Sequence, residues 1–472
     1  MHLARRCGLS AGGAPLAPTV RRFACAGALG CALWTPSTCG WGEYRTPERR
    51  VVAVGMPMSC QLREETQMSE HAEVVVVGGG IMGVSVAHAL TQLGVRDVVV
   101  LERRTLAAGA SGKTGALLRQ HYTNVPEATL ARISLEIFQH WAEYIGGDCG
   151  FQQTGMIVTV STSGADAVNI EKMHRVAAMH QRVGIRTHIV SPEELRGLQP
   201  FVITDDIAAA AWEPDSGVVD AVAATRSMAE AAARGGARIR DGVEVTAIRV
   251  VGDRVFGVDT SDGPVDAPSV VVAAGSWSVP LLAAVGVVVP IEALRVQVAV
   301  LNRPFSMPAT GTMSYVDTAA GFFCRNWGPN RTLAGVGGGE FHDVVEPDDY
   351  DERIDPAFGP AVKRAMSIRM PAMADATVLY GHAGIYDMTP DTHPVLGAAP
   401  GVAGLLLALG FSGAGFKKGP AIGRCLAEGI VHGRSQSVDL TPFRLERFED
   451  DSWRRPWSED EYSFSTDFGH RF

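Results

Sequence analysis

Three patterns of apolar residues run along the chain, and their order predicts the fold. The first is an unbroken apolar run rich in β-branched residues, at 74–77 and again at 98–101. Such runs mark strands buried on both faces of a parallel sheet. Residues 269–274 and 405–409 are of the same kind. The second pattern, apolar positions three and four apart, predicts helices at 84–93, 165–183, 221–234 and from Pro420 onward. A further helix opens at Pro126 and buries Ala128, Leu130, Ile133, Ile137 and Trp141. Ser191-Pro192-Glu193-Glu194 reads as a capping box that starts a short helix. The third pattern is alternation, seen at Met156, Val158 and Val160 and in residues 237–260, 288–302 and 321–338. It predicts a largely antiparallel sheet, and residues 207–212 add one more strand.

The two strand populations are interleaved, so one domain is inserted into the other. The expected fold class is α/β, a Rossmann-like nucleotide-binding domain with an interleaved, mainly antiparallel substrate domain. Residues 68–150, 205–285 and 376–435 are assigned to the nucleotide-binding domain and 151–204 and 286–375 to the substrate domain. Residues 436–472 form a C-terminal tail.

The first parallel strand runs into Gly78-Gly79-Gly80-Ile81-Met82-Gly83, a G-x-G-x-x-G fingerprint at a helix start. Gly78 allows a tight turn, Gly80 a close approach to a pyrophosphate and Gly83 close helix-to-strand packing. The helix N-terminus at Ile81 and Met82 favours an anion. Glu102 ends the next strand, where a carboxylate can accept hydrogen bonds from a ribose. Together these residues point to dinucleotide binding. A glycine-rich turn in a nucleotide-free domain is the alternative, and it leaves Glu102 without a role. Beyond Arg103, the small-residue stretch 107–115 lets backbone lie against a ligand, with Ala110, Ser111, Lys113 and Thr114 offered to a diphosphate. A second strand end, Ala274-Gly275-Ser276-Trp277, resembles a returning nucleotide-domain strand. Residues 384–397 read as polar and turn-rich. Gly410-Phe411-Ser412-Gly413-Ala414-Gly415-Phe416-Lys417 then leads into the last helix, an anion-tolerant pocket beside a helix N-terminus.

Composition narrows the classes of function. Of 472 residues, 46% are hydrophobic and 20% charged, as in ordinary globular proteins. A net charge of −9 gives no general attraction to nucleic acid, and no apolar run is long enough to span a bilayer. Five of the eight cysteines lie in the first sixty residues. The others, Cys149, Cys324 and Cys425, have no metal-ligand spacing and read as buried small hydrophobes in a reduced compartment. No metal site is expected. Residues 1–67 are basic and lack helical or strand periodicity. A start assigned too far upstream of Met68 is the favoured reading and makes the protein cytoplasmic. A transit peptide, the alternative, would send it to the mitochondrial matrix.

The glycine fingerprint with Glu102, the Ala274-Gly275 strand end, and the pair Tyr386-Asp387-Met388-Thr389-Pro390-Asp391 plus residues 410–417 resemble the D-amino-acid-oxidase-like flavoproteins. The nearest branch is that of sarcosine oxidase β-subunit and dimethylglycine dehydrogenase, and the resemblance covers residues 73–448. It implies FAD along Gly78, Gly80, Ile81, Met82, Gly83, Glu102, Arg103, Val245, Ala274, Gly275 and Trp277. The flavin ring would lie by Gly384 and residues Gly410, Phe411, Ser412, Gly413, Gly415 and Phe416. In this family an arginine matching Arg119 and a lysine matching Lys417 clamp the substrate carboxylate, and a tyrosine matching Tyr386 walls the pocket. Lys418 reads as a surface cation. Relatives that bind FAD covalently use a histidine where this chain has Lys113, or a cysteine where it has Gly384, so noncovalent FAD is expected. The segment that carries an oxygen-activating lysine in the oxidases reads Arg331-Thr332-Leu333-Ala334-Gly335-Val336, and Ala414 replaces a histidine common in relatives. The implied activity is oxidation of a small carboxylate-bearing amine by hydride transfer to the flavin, followed by imine hydrolysis. Turnover would finish at oxygen or an electron-carrier partner, and the chain could be oligomeric. Rival readings are the flavin subunit of a hetero-oligomeric amine dehydrogenase and a 2-hydroxy-acid dehydrogenase.

Overall fold

Six strands form one sheet in the order Arg238–Asp241, Val98–Glu102, Val74–Val77, Ser269–Val272, Leu405–Leu409 and Val395–Ala398. The first five are parallel and the last is antiparallel to its neighbour. This computed structural model describes residues 70–162, 166–337, 339–449, 453 and 457–460. Residues 1–67 lie outside the described residues, as do 163–165 and most of 450–472.

The valine runs are apolar on both sides because both faces of the sheet are covered. Val74, Val76, Val98 and Val100 face a helical layer, while Val75, Val77, Val99 and Leu101 face a second, four-stranded sheet. The longer helices are α1 (Ile81–Gln92), α2 (Val125–Gln139), α3 (Asp166–Arg182), α4 (Ala221–Arg234), α5 (Phe358–Arg369) and α6 (Gly419–His432). Helices α1, α4 and α6 contribute to that helical layer.

A nine-stranded sheet makes up the substrate half. Its pairings are antiparallel except for Ser314–Asp317 against Met156–Ser161. Two of its strands shift the expected boundaries. Ile207–Glu213 pairs with Met156–Ser161, and Thr377–Met388 pairs with Glu292–Asn302, so neither belongs to the nucleotide-binding sheet. Apolar character alone does not distinguish the two sheets; the partner strand decides. Residues 384–388, expected in a turn, are the end of that long strand. The expected tail also packs in part, since Phe443 is fully buried and Arg447 pairs with Asp391 at 2.7 Å.

A buried charged group joins α2 to the start of α6. Asn124 caps α2 and accepts the Glu127 N–H at 3.0 Å. The Glu127 carboxylate meets the Lys418 ammonium and His393 Nδ1, the latter at 2.7 Å. Burial works to raise the Glu127 pKa, but Lys418 and His393 outweigh it and hold the carboxyl well below its usual range. Lys418, expected at the surface, is fully buried, because the 3-10 turn Phe416–Lys418 brings it against α2. Removing one partner of a buried pair strands the other charge. Glu127→Gln is therefore expected to lower unfolding free energy by about 3–5 kcal/mol, measured by denaturant midpoint. Glu127→Gln with Lys418→Met should recover most of the loss; a double variant as unstable as the single one would contradict this account.

Candidate active site

The cradle is built by backbone approaching backbone. Gly78 has φ +111°, and a Cβ there would lie 2.6 Å from Ala273 O. A Cβ on Gly83 would lie 1.9 Å from Gly78 O, so α1 sits directly on the strand end below it. Helix α6 closes on α1 in the same way: a Cβ on Gly423 would fall 2.5 Å from the Ser85 carbonyl carbon. The N-termini of α1 and α6 therefore stand side by side, beside a cavity of about 530 Å³, well within the range of cofactor sites.

Most residues expected at a cofactor line this cavity. Glu102, Arg103, Val245 and Trp277 lie on its wall. The Glu102 carboxylate accepts the Gly79 and Arg104 N–H groups, each at 2.8 Å, which uses two of its roughly four acceptor positions. Gly78, Gly80, Ile81, Met82, Ala110, Ser111, Thr114, Ala274 and Gly275 also line it. Ser111 Oγ accepts the Ile81 N–H at 2.9 Å and so ties the small-residue loop to the first turn of α1. Tyr386, Phe411, Gly413, Gly415 and Phe416 complete the lining from the two later blocks.

The others stand behind the wall. Gly83 packs the helix. Gly410 donates its N–H to Asp387 Oδ2 at 2.7 Å, and Ser412, at φ +48°, donates to the Asp387 carbonyl at 3.0 Å. A non-glycine residue held there stores backbone strain next to the site. Gly384 leaves room for Lys113, whose Cβ would lie 3.1 Å from a Cβ at Gly384. Lys113 itself departs from expectation. Its ammonium is not directed to the cavity but bonds Tyr350 Oη at 2.6 Å and pairs with Glu352. Tyr350 and Glu352, which follow the strand Asp343–Val344, have captured it, which no local pattern around Lys113 announces.

Arg119 and Lys417 do not line the cavity, but the Arg119 charge acts on both Lys417 and Tyr386. Half-buried Lys417 is held well below the usual lysine range, first by burial and then by the charges of Arg119 and Lys418. Its ammonium nitrogen lies 3.4 Å from Gly413 O. Burial raises the Tyr386 pKa, and Arg119 opposes that; its ring edge lies 2.4 Å from where a Gly413 Cβ would stand. Tyr122 was not singled out from sequence. Its ring lies between two cations, 4.4 Å from the Arg119 guanidinium carbon and 4.6 Å from Lys418 Nζ. Its buried hydroxyl has no hydrogen-bond partner among the described residues. Arg325, also not singled out from sequence, does not line the cavity; it is 5% exposed, lies 4.5 Å over Trp327, has no hydrogen-bond partner for Nε among the described residues, and its pKa is lowered by burial to about 10.

His121, His180 and Glu213 are buried close enough together to hold a metal ion, yet their polar atoms are engaged within the protein. Glu213 accepts from Gln120 N, Ser216 Oγ and His121 Nδ1 at 2.9–3.1 Å. His180 Nε2 donates to Tyr122 O at 2.8 Å, which leaves Nδ1 to accept from Thr187 Oγ1 at 3.0 Å. Burial takes His180 down to about 4, so it is neutral. The group fixes the segment carrying Arg119 to Tyr122.

The cradle, two abreast helix N-termini and an inserted antiparallel domain define a dinucleotide-dependent flavoprotein. Residues 73–429 match the family model for the FAD dependent oxidoreductases, and the chain belongs to that family. The cavity fits its cofactor: Gly78, Gly80 and Gly275 would leave backbone exposed to a diphosphate, and Glu102 would keep acceptor capacity for a ribose. FAD is the cofactor. Human mitochondrial sarcosine dehydrogenase is 28% identical, over 91% of this chain and 48% of its own length. The 4-methylaminobutanoate oxidase (formaldehyde-forming) of Paenarthrobacter nicotinovorans is 27% identical, over 79% and 46%. The chain thus spans about half the length of these curated relatives. The crystal structure of L-proline dehydrogenase from P. horikoshii has a TM-score of 0.73 at 27% identity, covering 81% of this chain and 99% of that one. Among the described residues, no helix is long and apolar enough to cross a membrane.

Asp387 makes the site pH-sensitive. Burial pushes its carboxyl from 3.8 to about 6, against hydrogen bonds from the Phe411 and Gly410 backbone. A raised native pKa means the neutral acid is favoured by folding. Its stabilisation is fully present below about pH 4 and is lost as pH rises through about 6. Asp387→Asn keeps an acceptor without the charge. The stability of wild type relative to this variant should fall by roughly 3 kcal/mol between pH 4 and pH 7. A pH-independent difference in denaturation experiments would refute the assignment.

Proposed function

We propose that the chain oxidises a small amine bearing a carboxylate, such as sarcosine, dimethylglycine or another N-methyl or D-amino acid, with noncovalently held FAD. The observation that carries this reading is the Arg119 charge acting on both Lys417 and Tyr386. Lys417 has its proton affinity depressed by burial and by two neighbouring cations. A substrate carboxylate placed between it and Arg119 would restore that proton and make two charge-assisted hydrogen bonds. The names of the three relatives support an amine that carries a carboxylate. Lys113 and Gly384, standing where other family members attach the cofactor, support noncovalent binding.

Bound FAD supplies the acceptor for a hydride from the substrate C–H. The chain's own residues position and desolvate. Arg119 and Lys417 fix the carboxylate, Tyr386 walls the pocket, and the apolar surroundings favour the unprotonated amine without a strong general base. Water then hydrolyses the imine, and turnover closes at oxygen or at an electron carrier.

The direct test is anaerobic addition of N-methyl, D- and cyclic amino acids and of 2-hydroxy acids to the purified yellow protein. Bleaching by a carboxylate-bearing amine is expected; bleaching only by a hydroxy acid would sink the amine reading. The rate of colour return in air separates oxidase from dehydrogenase. Lys417→Met should raise KM for that substrate about 10- to 100-fold, with a smaller change in kcat. In wild type, substrate affinity should weaken as pH rises through the lowered Lys417 pKa, and this dependence should vanish in the variant.

A further inference from the structure

We propose that residues 348–352 form an ionic clasp across the cofactor cavity that retains FAD where relatives use a covalent bond. The proposal rests on noncovalent attachment. This acidic segment, Asp348-Asp349-Tyr350-Asp351-Glu352, is tied to the substrate half and touches the nucleotide-binding half at two points.

The first contact is on the cavity wall itself, where Asp348 stands with Arg103 and Trp277. Arg103 Nη1 donates to Asp348 Oδ2 at 3.1 Å and Nη2 donates to Oδ1, a two-pronged pairing. Trp277 Nε1 donates to the same carboxylate at 2.8 Å. The Arg103 guanidinium also lies 4.9 Å over the Trp277 ring, so one acid closes together two residues expected to border FAD. The second contact takes Lys113, through Tyr350 and Glu352.

The base of the segment is firmly held. Buried Arg295 donates to Asp351 O at 2.9 Å and to Arg353 O at 2.7 Å, and Ala383 N donates to Glu352 O at 2.7 Å. The tip is another matter. The Asp348 and Glu352 side chains are 64% and 58% exposed, so their pairs are wet, screened by salt and separable. An anchored base with an exposed charged tip can open without disturbing either core. Opening would free the Arg103 and Trp277 side of the cavity.

The test measures FAD release from the full-length holoprotein, by the rise of flavin fluorescence on dilution, as a function of sodium chloride. Between low salt and 1 M salt, wild-type release should accelerate about fivefold. The Asp348→Asn, Glu352→Gln double variant should release FAD at low salt about as fast as wild type does at high salt, with little further response to salt. The wild-type salt dependence stands as a test even if the variant folds poorly, and an unchanged melting temperature of the apo variant excludes a general loss of stability. Equal, salt-independent release from both proteins overturns the clasp and leaves noncovalent FAD intact. Flavin that stays with acid-precipitated polypeptide overturns noncovalent attachment, and the clasp with it.

Discussion

The site depends on the missing side chains between α1 and α6. Each helix begins at a glycine-rich turn, and each presents a glycine to its neighbour: Gly83 to the strand end at Gly78, and Gly423 to Ser85. A methyl group at either position would meet backbone at 1.9 or 2.5 Å, closer than any atom pair tolerates. Without those contacts the two helices could not run side by side. Helix N-termini carry partial positive charge and unsatisfied N–H groups. Placing two of them abreast concentrates that property beside the cavity, where an anionic cofactor would be favoured.

Charge is then distributed around this frame by burial. The Glu127 carboxylate neutralises Lys418 but not the adjacent Lys417, which is left among positive neighbours. Adjacent lysines in sequence thus have opposite roles. One closes a structural pair in the interior, and the other is half-buried, its ammonium 3.4 Å from Gly413 O and its pKa held below the usual lysine range by burial, Arg119 and Lys418. The difference comes from the single 3-10 turn Phe416–Lys418, which carries the two side chains in different directions.

Much of this was legible in the sequence because it is written in local patterns. The helix at 221–234 and the strand at 405–409 fall at the predicted residues, and the capping box at Ser191 forms with both hydrogen bonds. The glycine fingerprint, Glu102, Ala274 and Gly275 meet at one cavity because each belongs to the end of a parallel strand in a single sheet. What escaped depends on distant partners. Ile207–Glu213 reads like any apolar strand until its pairing with Met156–Ser161 is known. Lys418 is polar in sequence, and its burial needs Glu127, 291 positions away. The direction of Lys113 depends on a tyrosine and a glutamate 237 and 239 residues downstream. Tyr122 and Arg325 carry no spacing signal, since their environment is made by elements that meet only in the folded chain.

The strand Thr377–Met388 shows how the two halves become one site. It is held along its length by the substrate sheet through pairing with Glu292–Asn302, from Thr377 to Met388. Its end supplies Tyr386 to the cavity wall and Asp387 to the loop at Gly410 and Ser412. A displacement of the substrate sheet therefore moves the pocket wall and the glycine loop together, because neighbouring residues of one strand hold both. That linkage is steep in energy, since Asp387 is buried and its hydrogen bonds have no solvent to replace them. The acidic segment at 348–352, whose base is held on the same strand through Ala383, adds a second connection through exposed pairs that water and salt can replace. The proposed clasp would thus add a separable connection beside a buried one, and its opening would leave the buried strand end at Tyr386 and Asp387 in place.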